Sequence, residues 1–313
     1  MVRPARGGTR SAAFAGAVRV QRMGKASRRR TNRPSHTESR PAPAPFVARP
    51  FEGLPSETEW VALREILPAA TGAVTLTADG ATTPATVCTV LPLAWPALHR
   101  NGGELFVATQ SGATSGDPSR DIAAALLLAA DADEGTPITA VPNPGADSPR
   151  LQDVLDTSAP FDVTLHEGFD FWVGDNALDK DGQESLERAN ESVIPTERVS
   201  GGDSVYWCVI NGRTYVRWVL PYDEDTATAA LARLHAGDAD RLTPDARLLG
   251  AFRACGLLVP VWEVPADAKA GDFPDAVAAM ATALESATAD TTALTADERR
   301  ARAGLLNRQV TLR

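Results

Sequence analysis

The sharpest chemical constellation in the sequence is His166-Glu167-Gly168-Phe169-Asp170, with Asp175 and Asp179 beyond it. An imidazole and carboxylates at the end of a strand could act as general acid and base, or supply two or three ligands to a metal. His166, Glu167 and Asp170 are therefore the candidate catalytic residues, and a site there would draw on the neighbouring Phe169, Phe171 and Trp172. It would also need a second polar group from elsewhere in the chain, such as Arg64 or Asp117. Nothing adjacent supplies a nucleophile or fixes a third ligand, so a solvated loop with one strand-end histidine is the stronger reading.

Other patterns carry less. Asp179-Lys180-Asp181-Gly182 resembles part of a calcium loop, but its register puts Ala177 and Arg188 where oxygen ligands are required. The Gly/Ser-rich stretch before Asp117-Pro118 lacks the lysine of a phosphate loop and reads as the start of a capped helix. Cys88, Cys208 and Cys255 are far apart and odd in number, which fits reduced thiols in a reducing compartment. Cys255, placed near a helix C-terminus, should be a packed residue with a raised pKa. His99 and His235, beside Arg100 and Arg233, read as surface residues. No metal site and no cofactor is expected.

Charge divides the chain. Residues 1–50 carry twelve Arg and Lys against one acid, Glu38, for a net of +11; the remainder carries a net of −20. The first part reads as a disordered, Pro-rich basic tail and the rest as an acidic body that repels polyanions. Lys25, Arg28, Arg29, Arg30 and Arg33 cluster without interleaved aromatic residues. Contact through them would be phosphate-directed, salt-sensitive and indifferent to base sequence. RNA or another polyanion is thus the expected partner of residues 23–40; a solubilising tail or a clamp on the acidic body is the alternative. Met23 followed by Gly-Lys and three arginines reads as the true start, with 1–22 upstream of it; a targeting peptide is the rival, with a poor apolar region. The longest apolar run of the body, Ile122–Ala130, is far short of the ~20 residues of a membrane span. A cytoplasmic location without membrane contact follows.

The elements that must position these groups are legible in part. Ser56-Glu57-Thr58-Glu59 reads as a capping box opening a helix that ends at Pro68. Strands are expected at Val74–Thr77, Thr86–Leu91, Leu105–Thr109 and Pro160–Leu165, and an apolar helix at Arg120–Ala130. A surface helix is expected around Gln183–Asn190. Val205–Ile210, Asn211-Gly212 and Arg213–Val219 make a type I′ hairpin. Its register pairs Val209 with Thr214, Trp207 with Val216 and Val205 with Trp218, and brings Arg217 over Tyr206. Helices should follow at Asp223–His235 and from Thr243 to a C′ glycine at Gly256. Leu257–Val264 then reads as a strand that Pro260 pushes to an edge or a bulge. A stripe of Phe273, Val277, Met280 and Leu284 and a capping box at Thr295–Glu298 predict two closing helices. The fold class is α+β, with a mixed or antiparallel sheet and packed helices. Two rhyming halves are expected: 51–134, a linker at 135–155, and 156–313 with the C-terminal helices.

Several stretches carry a resemblance. The basic Met-Gly-Lys start, Pro45-Phe46-Val47-Ala48-Arg49-Pro50-Phe51-Glu52-Gly53-Leu54-Pro55, Glu59-Trp60-Val61-Ala62-Leu63-Arg64-Glu65, Leu93-Ala94-Trp95-Pro96-Ala97-Leu98 and His166–Trp172 resemble a family of actinobacterial proteins carrying a domain of unknown function. The resemblance runs from Met23 to Arg313 and implies no activity. A preprotein-translocase label loosely associated with such proteins finds no Walker motif and no cysteine cluster here. Leu248–Val264 is similar to a helix–strand unit of SseB-like secretion-related domains. The expected function is a non-catalytic cytoplasmic interaction protein, its tail contacting nucleic acid, ribosome or another polyanion, with Trp95-Pro96, Trp172 and Trp262 as candidate protein-binding aromatics. The alternative is a small-molecule-binding protein or hydrolytic enzyme with a site around His166, Glu167 and Asp170.

Overall fold

Glu59-Trp60-Val61-Ala62-Leu63 is apolar on every side except for one acid, and a helix of that kind has no face to give to solvent. In the computed structural model, which describes residues 42–78, 80–112, 115–173 and 180–307, this segment forms α1 (Glu57–Glu65), with Thr58 through Leu63 all buried. It lies between two sheets. Its core joins residues of the first sheet, such as Leu76 and Val107, to Tyr206, Leu257 and Val259 of the second.

The first sheet contains β1 (Ala70–Ala78), β2 (Ala81–Cys88), β3 (Ala97–His99), β4 (Leu105–Ala108), β5 (Thr136–Ile138) and β6 (Val163–Leu165) in the order β5-β3-β4-β2-β1-β6. Only the β2–β4 pair is parallel. The helices α2 (Pro118–Asp131) and α3 (Leu151–Val154) pack with it. The stretch expected as a linker thus holds β5 and α3, and β6 joins the first sheet. Pro137 fits β5 because that strand is at the sheet's edge, where a missing N–H costs little.

The second sheet is antiparallel throughout. It follows the exposed helix α4 (Lys180–Asn190) and contains β7 (Thr196–Arg198), β8 (Val205–Ile210), β9 (Arg213–Trp218), β10 (Arg247–Ala254) and β11 (Leu257–Val264), in the order β10-β11-β9-β8-β7. One face packs on α5 (Glu224–Ala236), α6 (Pro274–Ala289) and α7 (Ala296–Asn307) through Trp207, Trp218, Trp262, Leu231 and the expected Phe273–Val277–Met280–Leu284 stripe. The fold is therefore α+β, with one mixed and one antiparallel sheet, and the described residues belong to a single compact unit.

The β8–β9 hairpin has the expected register, with Asn211 and Gly212 both at positive φ. Asp117 caps α2 by accepting from Ser119 N–H, with Pro118 in the first turn. Thr295 and Glu298 bond reciprocally ahead of α7.

Three local expectations are corrected. Ser56 does precede α1, but with φ 52° and no capping bond; its hydroxyl accepts instead from Phe161 N–H. The segment before Gly256 is a strand, β10, and Cys255-Gly256 is the turn of a hairpin to β11, with both residues at positive φ. Leu248–Val264 is thus two strands, not a helix and a strand. Finally, β11 is an interior strand. It tolerates Pro260 because its pairing with β9 begins only at Val261, and the irregularity falls on β10, between Leu248 and Gly250.

Candidate functional site: the groove of His166 and β7

His166 follows β6 directly and is tied down at both ends. Its N–H donates to Ala69 O (2.9 Å), its Nε2 lies 2.8 Å from Thr71 Oγ1, and its ring centroid is 5.0 Å from that of Phe171. Burial lowers its pKa, and the charge of Asp170 offsets this only in part. With Glu167 it lines a cleft of about 510 Å³ whose other wall is residues 193–198. Asp170 does not line that cleft; it begins a short 3-10 turn, Asp170–Trp172, and is exposed.

The second polar group in the groove is Arg198, not Arg64 or Asp117. Arg64 bonds the carbonyl of Thr109 and pairs with Glu65. Asp117 is fully buried between Arg120 and Arg150, at 3.2 and 3.0 Å. Arg198 is itself engaged. Both its terminal nitrogens meet the Glu59 carboxylate (2.7 and 2.9 Å), and one also donates to Val163 O at 3.1 Å. Ser204 Oγ and Tyr206 Oη each donate to the same carboxylate at 2.6 Å.

Burial alone would raise the pKa of Glu59, but the bonds from Arg198, Ser204 and Tyr206 outweigh it and hold the carboxyl below its ordinary value. Burial, then the adjacent Glu59 charge, pushes the Tyr206 phenol up. The cation over the Tyr206 ring is Arg198, 5.2 Å from its centroid. Arg217 stands opposite Tyr206 in register as expected, but is buried, and burial lowers its pKa.

The aromatic part of the motif is a cover. Phe169 stacks on Trp172 at 4.5 Å, Trp172 Nε1 donates to Val90 O (2.8 Å), and Arg100, over the Phe106 ring, donates to the carbonyls of Phe171 and Trp172. Together these close the outer face of the first sheet over Cys88, Leu91 and Ala108. Asn190 at the end of α4 accepts from Phe169 N–H, and its side chain comes within 2.7 Å of where a Cβ on Gly168 would stand. Gly168 is the residue that permits this contact.

A family model for a family of unknown function, DUF5926, matches residues 50–313. The chain belongs to the DUF5926 family. That span takes in both sheets and every residue of the groove. No curated protein and no solved structure matches the chain.

The remaining candidates of the DUF5926 chain have structural partners. His99 bonds Ala132 O and His235 bonds the buried Asp240, so both are fixed rather than free on the surface. Burial raises the pKa of all three thiols, that of Cys255 to about 12 with help from Glu65. The cause at Cys255 is burial in a hairpin turn, not a helix dipole. Trp262 is fully buried with its Nε1 on Asp240 O, Pro96 is buried, and Trp95 and Trp172 are half-buried, so these do not make an exposed aromatic face. Among the described residues no group of three or more His, Cys, Asp or Glu could hold a metal ion, and no helix is long and apolar enough to cross a membrane. Lys25, Arg28, Arg29, Arg30, Arg33, Asp175 and Asp179 lie outside the described residues.

Sequence reading missed Glu59, Arg198, Ser204 and Tyr206, which meet from positions 139 to 147 residues apart. One signal was present: an acid inside the apolar run of α1 must find a partner wherever that helix is buried.

Proposed function

We propose that the chain is a non-catalytic cytoplasmic interaction protein, whose acidic body carries a basic arm that contacts RNA or another polyanion. The observation that carries the non-catalytic part is the state of the groove. His166 is bonded to Thr71, Arg198 is paired with Glu59, and Asp170 stands outside the cleft. Of the candidate trio only Glu167 therefore faces it without a partner among the described residues, and a lone exposed carboxylate makes no acid–base pair. The free thiols, with pKa values raised by burial, are poor nucleophiles. The arm rests on charge: +11 in the first fifty residues, joined to a body of −20 that polyanions avoid. Three cysteines kept as thiols accord with a reducing compartment.

The test is fluorescence anisotropy with a single-stranded RNA across a salt series. It compares the full chain with a full-length variant in which Lys25, Arg28, Arg29, Arg30 and Arg33 are all replaced by Gln. If each residue meets one phosphate, the variant's slope of log K against log salt should be shallower by about 3.5. Equal slopes, or no RNA binding by the parent, would overturn the reading.

A further inference from the structure

The outer strand of the second sheet runs along two clefts. Residues 193–198 line the one shared with His166 and Glu167, and residues 198–203 line another, of about 620 Å³, floored by Trp218, Leu220 and Leu284. Arg198 borders both, so the clefts meet there, and every residue from 193 to 203 lines one or the other. β7 is the end strand of its sheet and pairs with β8.

The alternation of that ladder decides which backbone groups are used. Val209 N–H donates to Pro195 O and Val199 N–H donates to Val205 O, so residues 195, 197 and 199 turn toward β8. The N–H and C=O of Thr196 and Arg198 then point away from the sheet, along the clefts. Among the described residues no backbone bond outside the sheet closes them. Such an edge is a template for another strand.

Charge decides what kind of strand. Glu167 and Glu197 line the first cleft, and Asp203 and Glu285 the second; all four are exposed, with no ion pair among the described residues. Arg198, the cation between them, is matched by Glu59.

We propose that β7 binds an extended cationic segment of a partner protein, which adds as a strand along Thr196 and Arg198 and sets Lys or Arg side chains against Glu167, Glu197, Asp203 and Glu285. β7 itself is about 10 Å long at about 3.3 Å per residue, and residues 200–204 then turn back into β8, so a peptide of about ten residues would pair along β7 and continue on either side into the two clefts. The proposal rests on the interaction-protein reading but not on the basic arm, and RNA binding by the arm is measured separately, so either can fail alone.

The test uses the full chain and a fluorescein-labelled alternating Lys-Thr peptide of about ten residues, with the Glu-Thr peptide as control, read by anisotropy at about 0.1 M salt. The Lys-Thr peptide should saturate the protein and bind at least about tenfold more tightly than Glu-Thr, and Glu197→Lys with Glu285→Lys should lose about tenfold. Thr196→Pro deletes an outward N–H that β8 does not use, which an edge strand tolerates, and should lose about as much. Failure of Lys-Thr to saturate, or equal binding of both peptides, overturns the proposal. Because Thr196→Pro could also disturb the edge, hydrogen exchange of the parent is the second readout. The Thr196 and Arg198 amides should slow about tenfold on peptide binding, and unchanged exchange would overturn strand addition.

Discussion

Replacing Glu59 by Gln keeps the shape of the side chain and removes the charge that Arg198, Ser204 and Tyr206 share. The carboxylate is buried, accepts from four donor atoms at 2.6–2.9 Å, and joins α1 to β7 and β8. Removing one partner of a buried ion pair costs about 3–5 kcal/mol, chiefly because the other charge is stranded. Arg198 is not fully stranded: its side chain is 38% exposed and can regain water. The glutamine oxygen still accepts from one hydroxyl, so the expected loss is about 2–3 kcal/mol. For a chain of this size that lowers Tm by roughly 4–12 °C. Urea unfolding followed by circular dichroism, at a series of pH values, measures it. The folded Glu59 carboxyl has a depressed pKa, so its contribution is complete above the ordinary Glu value of 4.5 and is lost as pH falls through the folded value. The stability gap between parent and Glu59→Gln should therefore be widest near about pH 6 and shrink below about pH 4.5. A gap under about 0.5 kcal/mol near neutrality, or one indifferent to pH, would refute the reasoning.

Two further outcomes follow from close contacts. A Cβ on Gly72 would stand 2.4 Å from the Phe161 ring, which is stacked at 4.1 Å on Trp60, so Gly72→Ala should cost about 1–3 kcal/mol in urea unfolding. A neutral result would mean that the ring shifts freely. Burial and Glu65 push the Cys255 thiol up to about 12, so at about pH 8 it should react with Ellman's reagent roughly fiftyfold more slowly than a free cysteine, the scarcity of thiolate being offset in part by its greater nucleophilicity; reaction of the native chain as fast as a free cysteine would contradict the raised pKa.

What the sequence discloses here is what neighbouring residues decide between themselves. Asn211-Gly212 sets its hairpin because two residues with positive φ suffice to define the turn. Asp117-Pro118 starts α2 for a similarly local reason. β10 was hidden because Leu248, Leu249, Ala251 and Phe252 satisfy a helical repeat as well as a strand, and only pairing with β11 settles it. Ser56 departs from the capping box because its hydroxyl is taken by Phe161, 105 residues away. The site divides the same way. His166 and Glu167 fall together because they are adjacent, whereas Arg198 reaches them from the edge of the other sheet.

The separation between Glu59 and its partners has a consequence in time. A ribosome adding about 5–20 residues per second needs roughly 7–30 s after making α1 to produce Arg198 and Tyr206. Throughout that interval the side of α1 destined for the second sheet has no cover, and an ionised carboxylate sits among its apolar residues. The nascent first sheet can collect its own strands, but its central helix stays half-dressed until the β8–β9 hairpin has emerged. The same charge that fastens the finished molecule thus keeps α1 from being sealed early against the wrong surface.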